Sequence, residues 1–144
     1  MLIRCEALYF HGGGYIVGSR AMLPTAHIEA LNERGFIAVS SDYRLGPTIS
    51  VLDGPVNDSV AAYEWAQNEL PRLLERDHDI RVNGKNIVTL GHSCGAALAL
   101  LMVSVNPSKW EREIIKLSYF LTQPGFSPQP TQGHPRSIRI QIPP

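Results

Sequence analysis

Residues 86–105 read Asn86-Ile-Val-Thr-Leu-Gly91-His-Ser93-Cys-Gly95-Ala-Ala-Leu-Ala-Leu-Leu-Met-Val-Ser-Val105. The short β-branched and apolar run Ile87–Leu90 reads as a buried strand. The longer apolar run Ala96–Val103 reads as a buried helix. Between them Gly91-His92-Ser93-Cys94-Gly95 matches G-x-S-x-G. A strand turning sharply into a helix holds its apex residue in a strained conformation. Glycines on both sides keep side chains from colliding with the neighbouring strand and helix. Ser93 is then expected at the carboxyl edge of the sheet, above a helix amino terminus that favours developing negative charge. The pentapeptide alone fits an ordinary strand-to-helix turn equally well.

A second motif shifts that balance. His11-Gly12-Gly13-Gly14 follows the run Arg4–Phe10, which ends in apolar and aromatic residues and reads as another strand. Consecutive glycines leave backbone N–H groups unshielded. Two such groups, with the N–H of the residue after the serine, can hold a tetrahedral oxyanion. The flanks Leu8-Tyr9-Phe10 and Tyr15-Ile16-Val17 argue against a flexible linker. A dinucleotide fingerprint fits worse, because neither motif spells G-x-G-x-x-G after a strand.

Between the two motifs the chain alternates. Residues 22–34 fit a helix, with Leu23, Ile28 and Leu31 on one face and Gly35 as its stop. Residues 36–42 fit a second strand, and Tyr43-Arg44-Leu45-Gly46-Pro47 opens a loop. Asp58 or Ser59 is expected to cap a helix running to about residue 75, bent or divided by Pro71. Residues 77–85 read as a polar turn. This order predicts an α/β fold with a parallel sheet in a three-layer αβα arrangement. Ligands of such folds bind at the carboxyl ends of the strands, where both glycine motifs fall. Beyond the elbow helix, Trp110, Ile114, Leu117 and Leu121 suit one further helix. The proline-rich stretch 122–144 is expected to be a disordered tail, leaving 1–121 as the folded domain.

Composition narrows the function. The chain has 144 residues, with 13 Lys plus Arg against 13 Asp plus Glu. No basic stripe points to nucleic acid. The longest apolar run, about ten residues, is too short to span a bilayer. Charges interrupt the amino-terminal apolar stretch, so no signal peptide is expected. Two cysteines, Cys5 and Cys94, make no disulfide framework and suit a reducing, cytoplasmic setting. No metal-ligand cluster or cofactor motif stands out. His27 and His78 are expected on exposed surfaces, and His92 in packing or solvent.

Taken together, Tyr9-Phe-His-Gly-Gly-Gly-Tyr-Ile-Val-Gly18, Ser41-Asp-Tyr-Arg-Leu45 and Gly91-His-Ser-Cys-Gly95 resemble the α/β-hydrolase superfamily. Its hormone-sensitive-lipase-like, or fold-3, esterase branch is the nearest likeness, over about residues 5–105. The resemblance implies an incomplete α/β-hydrolase core. It makes Ser93 the nucleophile and the N–H groups of Gly13, Gly14 and Cys94 the oxyanion hole. His11, Gly12, Gly91 and Gly95 become structural supports, and Asp42, Tyr43 and Arg44 buried structural residues. The family usually has Asp at the position of His92, Gly at Ala96 and Pro-Glu at Pro47-Thr48, departures that bear on substrate. It also orders its triad as Ser, then Asp or Glu, then His. After Ser93 this chain has no Asp, only Glu111 and Glu113, and its single later histidine is His134. A triad Ser93–Glu111–His134 satisfies order alone. The expected function is therefore a truncated serine carboxylic-ester hydrolase acting on a small-molecule ester, weakly active or inactive as written. The alternatives are a non-catalytic small-molecule-binding module and an inert fragment that self-associates through an exposed sheet edge.

Overall fold

The computed structural model describes residues 4–105. Three parallel strands form one sheet: β1 (Arg4–Phe10), β2 (Phe36–Ser41) and β3 (Val82–Gly91), in the order β2-β1-β3. The helices are α1 (Thr25–Glu33), α2 (Asn57–Asn68), α3 (Leu70–His78) and α4 (Cys94–Val105). A single 3-10 turn at Arg20–Met22 precedes α1, and a π-helical turn at Leu52–Val56 leads into α2.

β1 lies in the middle because it can be buried on both faces. Its residues 6–10 are all buried, and successive side chains serve opposite layers. Leu8 and Phe10 join Ile37, Val39 and Ile87 beneath Tyr63, Ala66, Leu70, Leu74, Leu98 and Met102 of α2, α3 and α4. Ala7 and Tyr9 join Val88 and Leu90 against Leu23, Leu31 and Ile28 on the α1 side. The result is the expected αβα sandwich. Within the described residues β2 and β3 each pair only with β1.

The carboxyl ends of the strands align. Phe10 is opposite Ser41 on one side and Gly91 on the other. The glycine run after β1 and the elbow after β3 therefore leave adjacent strand tips at the same level.

Several local expectations are corrected. Helix α1 begins at Thr25, not at residue 22, because Pro24 occupies the N-cap position and has no N–H to continue a preceding turn. Neither Asp58 nor Ser59 caps α2. The π-helical turn already delivers helical backbone through Val56, so Asp58 is free to bond Arg44, while the Ser59 hydroxyl donates to the Pro55 carbonyl. The expected division at Pro71 occurs as two helices, α2 and α3, joined at Glu69. Much of the polar stretch 77–85 is not loop: α3 runs to His78, and β3 starts at Val82 with an irregular register against Arg4. Only Val82 of that part pairs with β1, and residues 83–86 bridge from it to the regular pairing that starts at Ile87. Helix α4 is buried on one face only among the described residues, since Leu100 is 68 % exposed. The expected helix at 110–121, the tail 122–144, Glu111 and His134 lie outside the described residues.

Candidate active site

The elbow takes the strained form that its glycines foretell. Ser93 has φ 54°, a left-handed conformation that non-glycine residues seldom adopt. It is exposed and immediately precedes α4. The strain is held from both sides. The His92 N–H donates to the Phe10 carbonyl, and the Gly95 and Ala96 N–H groups donate to the carbonyls of His92 and Ser93. Gly95 is the tightest point. A Cβ there would overlap the carbonyl oxygens of Phe10 and His11, so only glycine lets α4 start this close to β1.

The glycine run meets the elbow directly. A Cβ placed on Gly12 would stand 2.9 Å from His92 Nδ1, 3.0 Å from its carbonyl oxygen and 3.3 Å from Ser93 Cβ. The backbone of Gly12 thus lies against the elbow's apex, Ser93, and the residue before it. Gly13, at φ 121°, turns the chain so that its carbonyl accepts from the N–H groups of Ile16 and Val17. Gly14 follows at φ 62° and is exposed.

His11 anchors this loop from below. It is 1 % exposed, and its ring stacks on Tyr43 with centroids 4.1 Å apart and planes 8° from parallel. His11 Nδ1 lies 2.7 Å from the Gly12 carbonyl oxygen. A carbonyl can only accept, so Nδ1 carries the proton. Nε2 has no hydrogen-bond partner among the described residues.

Two tyrosines tie the loop to the elbow. The buried Tyr43 hydroxyl donates to the His11 carbonyl at 2.7 Å. Burial, then the bond and proximity to Cys94, push the Tyr43 phenol well above its ordinary range, so it remains a donor. Its one hydrogen is committed to His11, so in its 3.7 Å contact with Cys94 Sγ the thiol is the donor. The Tyr15 hydroxyl donates to the Cys94 carbonyl at 3.1 Å. Burial, with Cys94 second, raises its pKa too. Tyr43 is thus buried as expected, but its bracing of the His11 carbonyl was not foreseen. Tyr15 was missed. Its only signal in the sequence is a hydroxyl-bearing aromatic directly after the glycine run.

Asp42 and Arg44 are not buried, contrary to expectation. They flank Tyr43 at the end of β2, where the chain leaves the sheet and charged groups keep their water. Each is paired: Arg20 Nη1 bonds Asp42 Oδ2 at 2.6 Å, and Arg44 bonds both carboxylate oxygens of Asp58. The Arg44 bonds hold the Asp58 carboxyl below its usual range. Arg20, Asp42, Tyr43, Arg44, Asp58 and Trp65 line a cavity of about 500 Å³ at this edge. His27, His78 and His92 are exposed. Among the described residues no group of three or more His, Cys, Asp or Glu could hold a metal ion, and no helix is long and apolar enough to cross a membrane.

Comparison with known proteins agrees with the fold. The family model described as alpha/beta hydrolase fold matches residues 7–139. The non-reducing polyketide synthase ausA of Penicillium brasilianum is 39 % identical over 140 residues, covering 90 % of this chain. The chain spans only 6 % of that synthase's length. Among solved structures, a thermophilic esterase of Thermogutta terrifontis with propionate bound is 31 % identical, with a TM-score of 0.57 over 67 % of this chain and 33 % of that one. A hyperthermophilic esterase of Pyrobaculum calidifontis is 27 % identical, with a TM-score of 0.59 over 74 % of this chain and 32 % of that one.

Proposed function

The chain belongs to the alpha/beta hydrolase fold family, in its fold-3 branch, and from that premise we propose that it carries the nucleophile half of a serine acyl-transfer site. Ser93 is the nucleophile. Its Oγ attacks the acyl carbonyl and gives up its proton to solvent, the N–H groups of Gly13, Gly14 and Cys94 stabilise the resulting oxyanion, and collapse expels the leaving group, which takes a proton from solvent, to give an acyl-serine. Water then takes the acyl group. The helix α4 amino terminus adds positive potential under the same oxygen. His11 holds the glycine run in place and is not the base. The observation that carries this reading is the exposed Ser93 at φ 54° with the backbone of Gly12 packed against it.

The substrate class is an activated acyl group. The esterase neighbours favour a carboxylic ester, and the synthase relatives make an acyl thioester equally eligible, because polyketide chains are built as thioesters. No base for Ser93 stands out among the described residues. Among the described residues His11 is buried with Nδ1 engaged, His27 and His78 lie on α1 and α3, and His92 belongs to the elbow itself. An oxyanion hole without its base retains only a small part of the rate enhancement, a loss of several orders of magnitude. The 144-residue chain is therefore expected to acylate slowly and turn over poorly.

The test is labelling with a fluorophosphonate probe alongside p-nitrophenyl acetate hydrolysis. Slow, stoichiometric labelling at Ser93, abolished in Ser93→Ala, with little turnover, is the expected result. No labelling under conditions where the chain is folded overturns the assignment. A second reading, a non-catalytic small-molecule-binding module, is favoured by the lack of a base beside Ser93 among the described residues. It predicts saturable ligand binding that Ser93→Ala leaves intact.

A further inference from the structure

Glu6 has no part in the proposed chemistry, yet it sits at the centre of the fold. It is 0 % exposed, in the middle strand, one position from Ala7 and two from Leu8, both also fully buried. Its neighbours across the sheet are Ile37 in β2 and Ile87 in β3. Neither carboxyl oxygen has a hydrogen-bond partner among the described residues. A carboxylate in such a place loses its hydration and gains nothing in return, which is far more costly than burying the neutral acid.

The groups around it offer no rescue. Glu6 shares a sheet face with Leu8 and Phe10, the face covered by α2, α3 and α4. From α2 the titratable group it senses is Tyr63, itself raised chiefly by burial. β2 and β3 present isoleucines, and α4 contributes Leu98 and Met102 to the same cluster. On its own strand Arg4 and Cys5 lie at the half-buried amino-terminal end.

We propose that Glu6 folds in its protonated form and makes the stability of this domain fall as the pH rises from acid to mildly alkaline. The same burial pushes its carboxyl up to about 8, against 4.5 when exposed. As pH rises between these values the unfolded chain releases this proton while the folded chain keeps it. The unfolded state is thereby favoured, by up to about tenfold per pH unit. Below the lower value both states are protonated, and above the upper value both are ionised, so the effect levels off at each end. The strand affected is the one that carries His11 and the glycine run, so the candidate site is lost with it.

Urea denaturation of the full chain from pH 5 to 9 tests this. The wild-type folding constant should fall steadily up to about pH 8 and then flatten. Glu6→Gln, which mimics the neutral acid, should remove most of that fall and be more stable than wild type at pH 9 by roughly a hundredfold or more. Glu6→Leu should behave like Glu6→Gln. Wild-type stability that is level or rises from pH 5 to 8 overturns the proposal without any variant. Parallel profiles for wild type and Glu6→Gln overturn it as well.

Discussion

Replacing Tyr43 by Phe isolates the brace beneath the glycine run. The ring stays, so its stacking on His11 and its place in the core are kept. Only the hydroxyl goes, and with it the 2.7 Å bond to the His11 carbonyl. That carbonyl sits where a Cβ on Gly95 would overlap it, so the space around it is already crowded and a replacement water is hard to seat. An unsatisfied buried acceptor costs about 1–3 kcal/mol. Here a value near 2 kcal/mol is expected, a factor of roughly 30 in the folding constant. Tyr15→Phe is the internal control. Its bond to the Cys94 carbonyl is longer, at 3.1 Å, and only partly buried, so its loss should cost about 0.5–1.5 kcal/mol. Urea denaturation with unchanged m-values measures both. Fluorophosphonate labelling of the folded variants reads the second consequence, a slower reaction at Ser93 in Tyr43→Phe. A Tyr43→Phe change within about 0.5 kcal/mol of wild type, the range of ordinary surface substitutions, refutes the bracing argument. So does a larger cost for Tyr15→Phe than for Tyr43→Phe.

Two further outcomes can be checked together with it. Gly95→Ala should destabilise by about 3 kcal/mol or more, because its methyl group meets the carbonyls of Phe10 and His11 rather than movable side chains. Gly14→Ala, with open space around the position but φ 62°, should cost only about 1 kcal/mol, and circular dichroism melts of the pair give the comparison. Asp58 is held below the ordinary carboxylate range by Arg44, so their pairing supports the fold above about pH 4 and fades as acid protonates the carboxyl. Asp58→Asn should therefore flatten the acid limb of the stability profile, and an unchanged slope below about pH 4 would count against the pairing.

The parts of this fold that could be read directly are those where one residue type has one use. Parallel strands buried on both faces appear as near-continuous apolar runs, and Leu8–Phe10 and Ile87–Leu90, interrupted only by Thr89, are such runs, while β2 alternates buried and half-buried residues. Gly95 is similarly legible, since a side chain there meets backbone, whereas Ser93 became legible only with the second glycine motif at residues 11–14. The amino-terminal half of β3 was not legible, because Asn83, Gly84, Lys85 and Asn86 have the composition of a turn and continue the strand only as the irregular stretch between the Arg4–Val82 and Glu6–Ile87 pairings. The exposure of Asp42 and Arg44 was misjudged for a related reason. A buried Tyr43 between them gives no indication that the chain is leaving the sheet there.

Composition, periodicity and the two glycine motifs by themselves determined the αβα class, the strand order along the chain and the residues that gather at the strand tips. Those properties depend on local backbone demands and on which side chains avoid water, and both are written residue by residue. Tertiary structure alone decided that β1 lies between its two partners, that Gly12 rests against Ser93, and that Tyr15 and Tyr43 cross from one motif to the other. It alone showed that Glu6 is sealed in the middle of the sheet without a hydrogen-bond partner among the described residues. Such facts depend on contacts between segments far apart in the chain, where distance and burial are set by the packing of the whole.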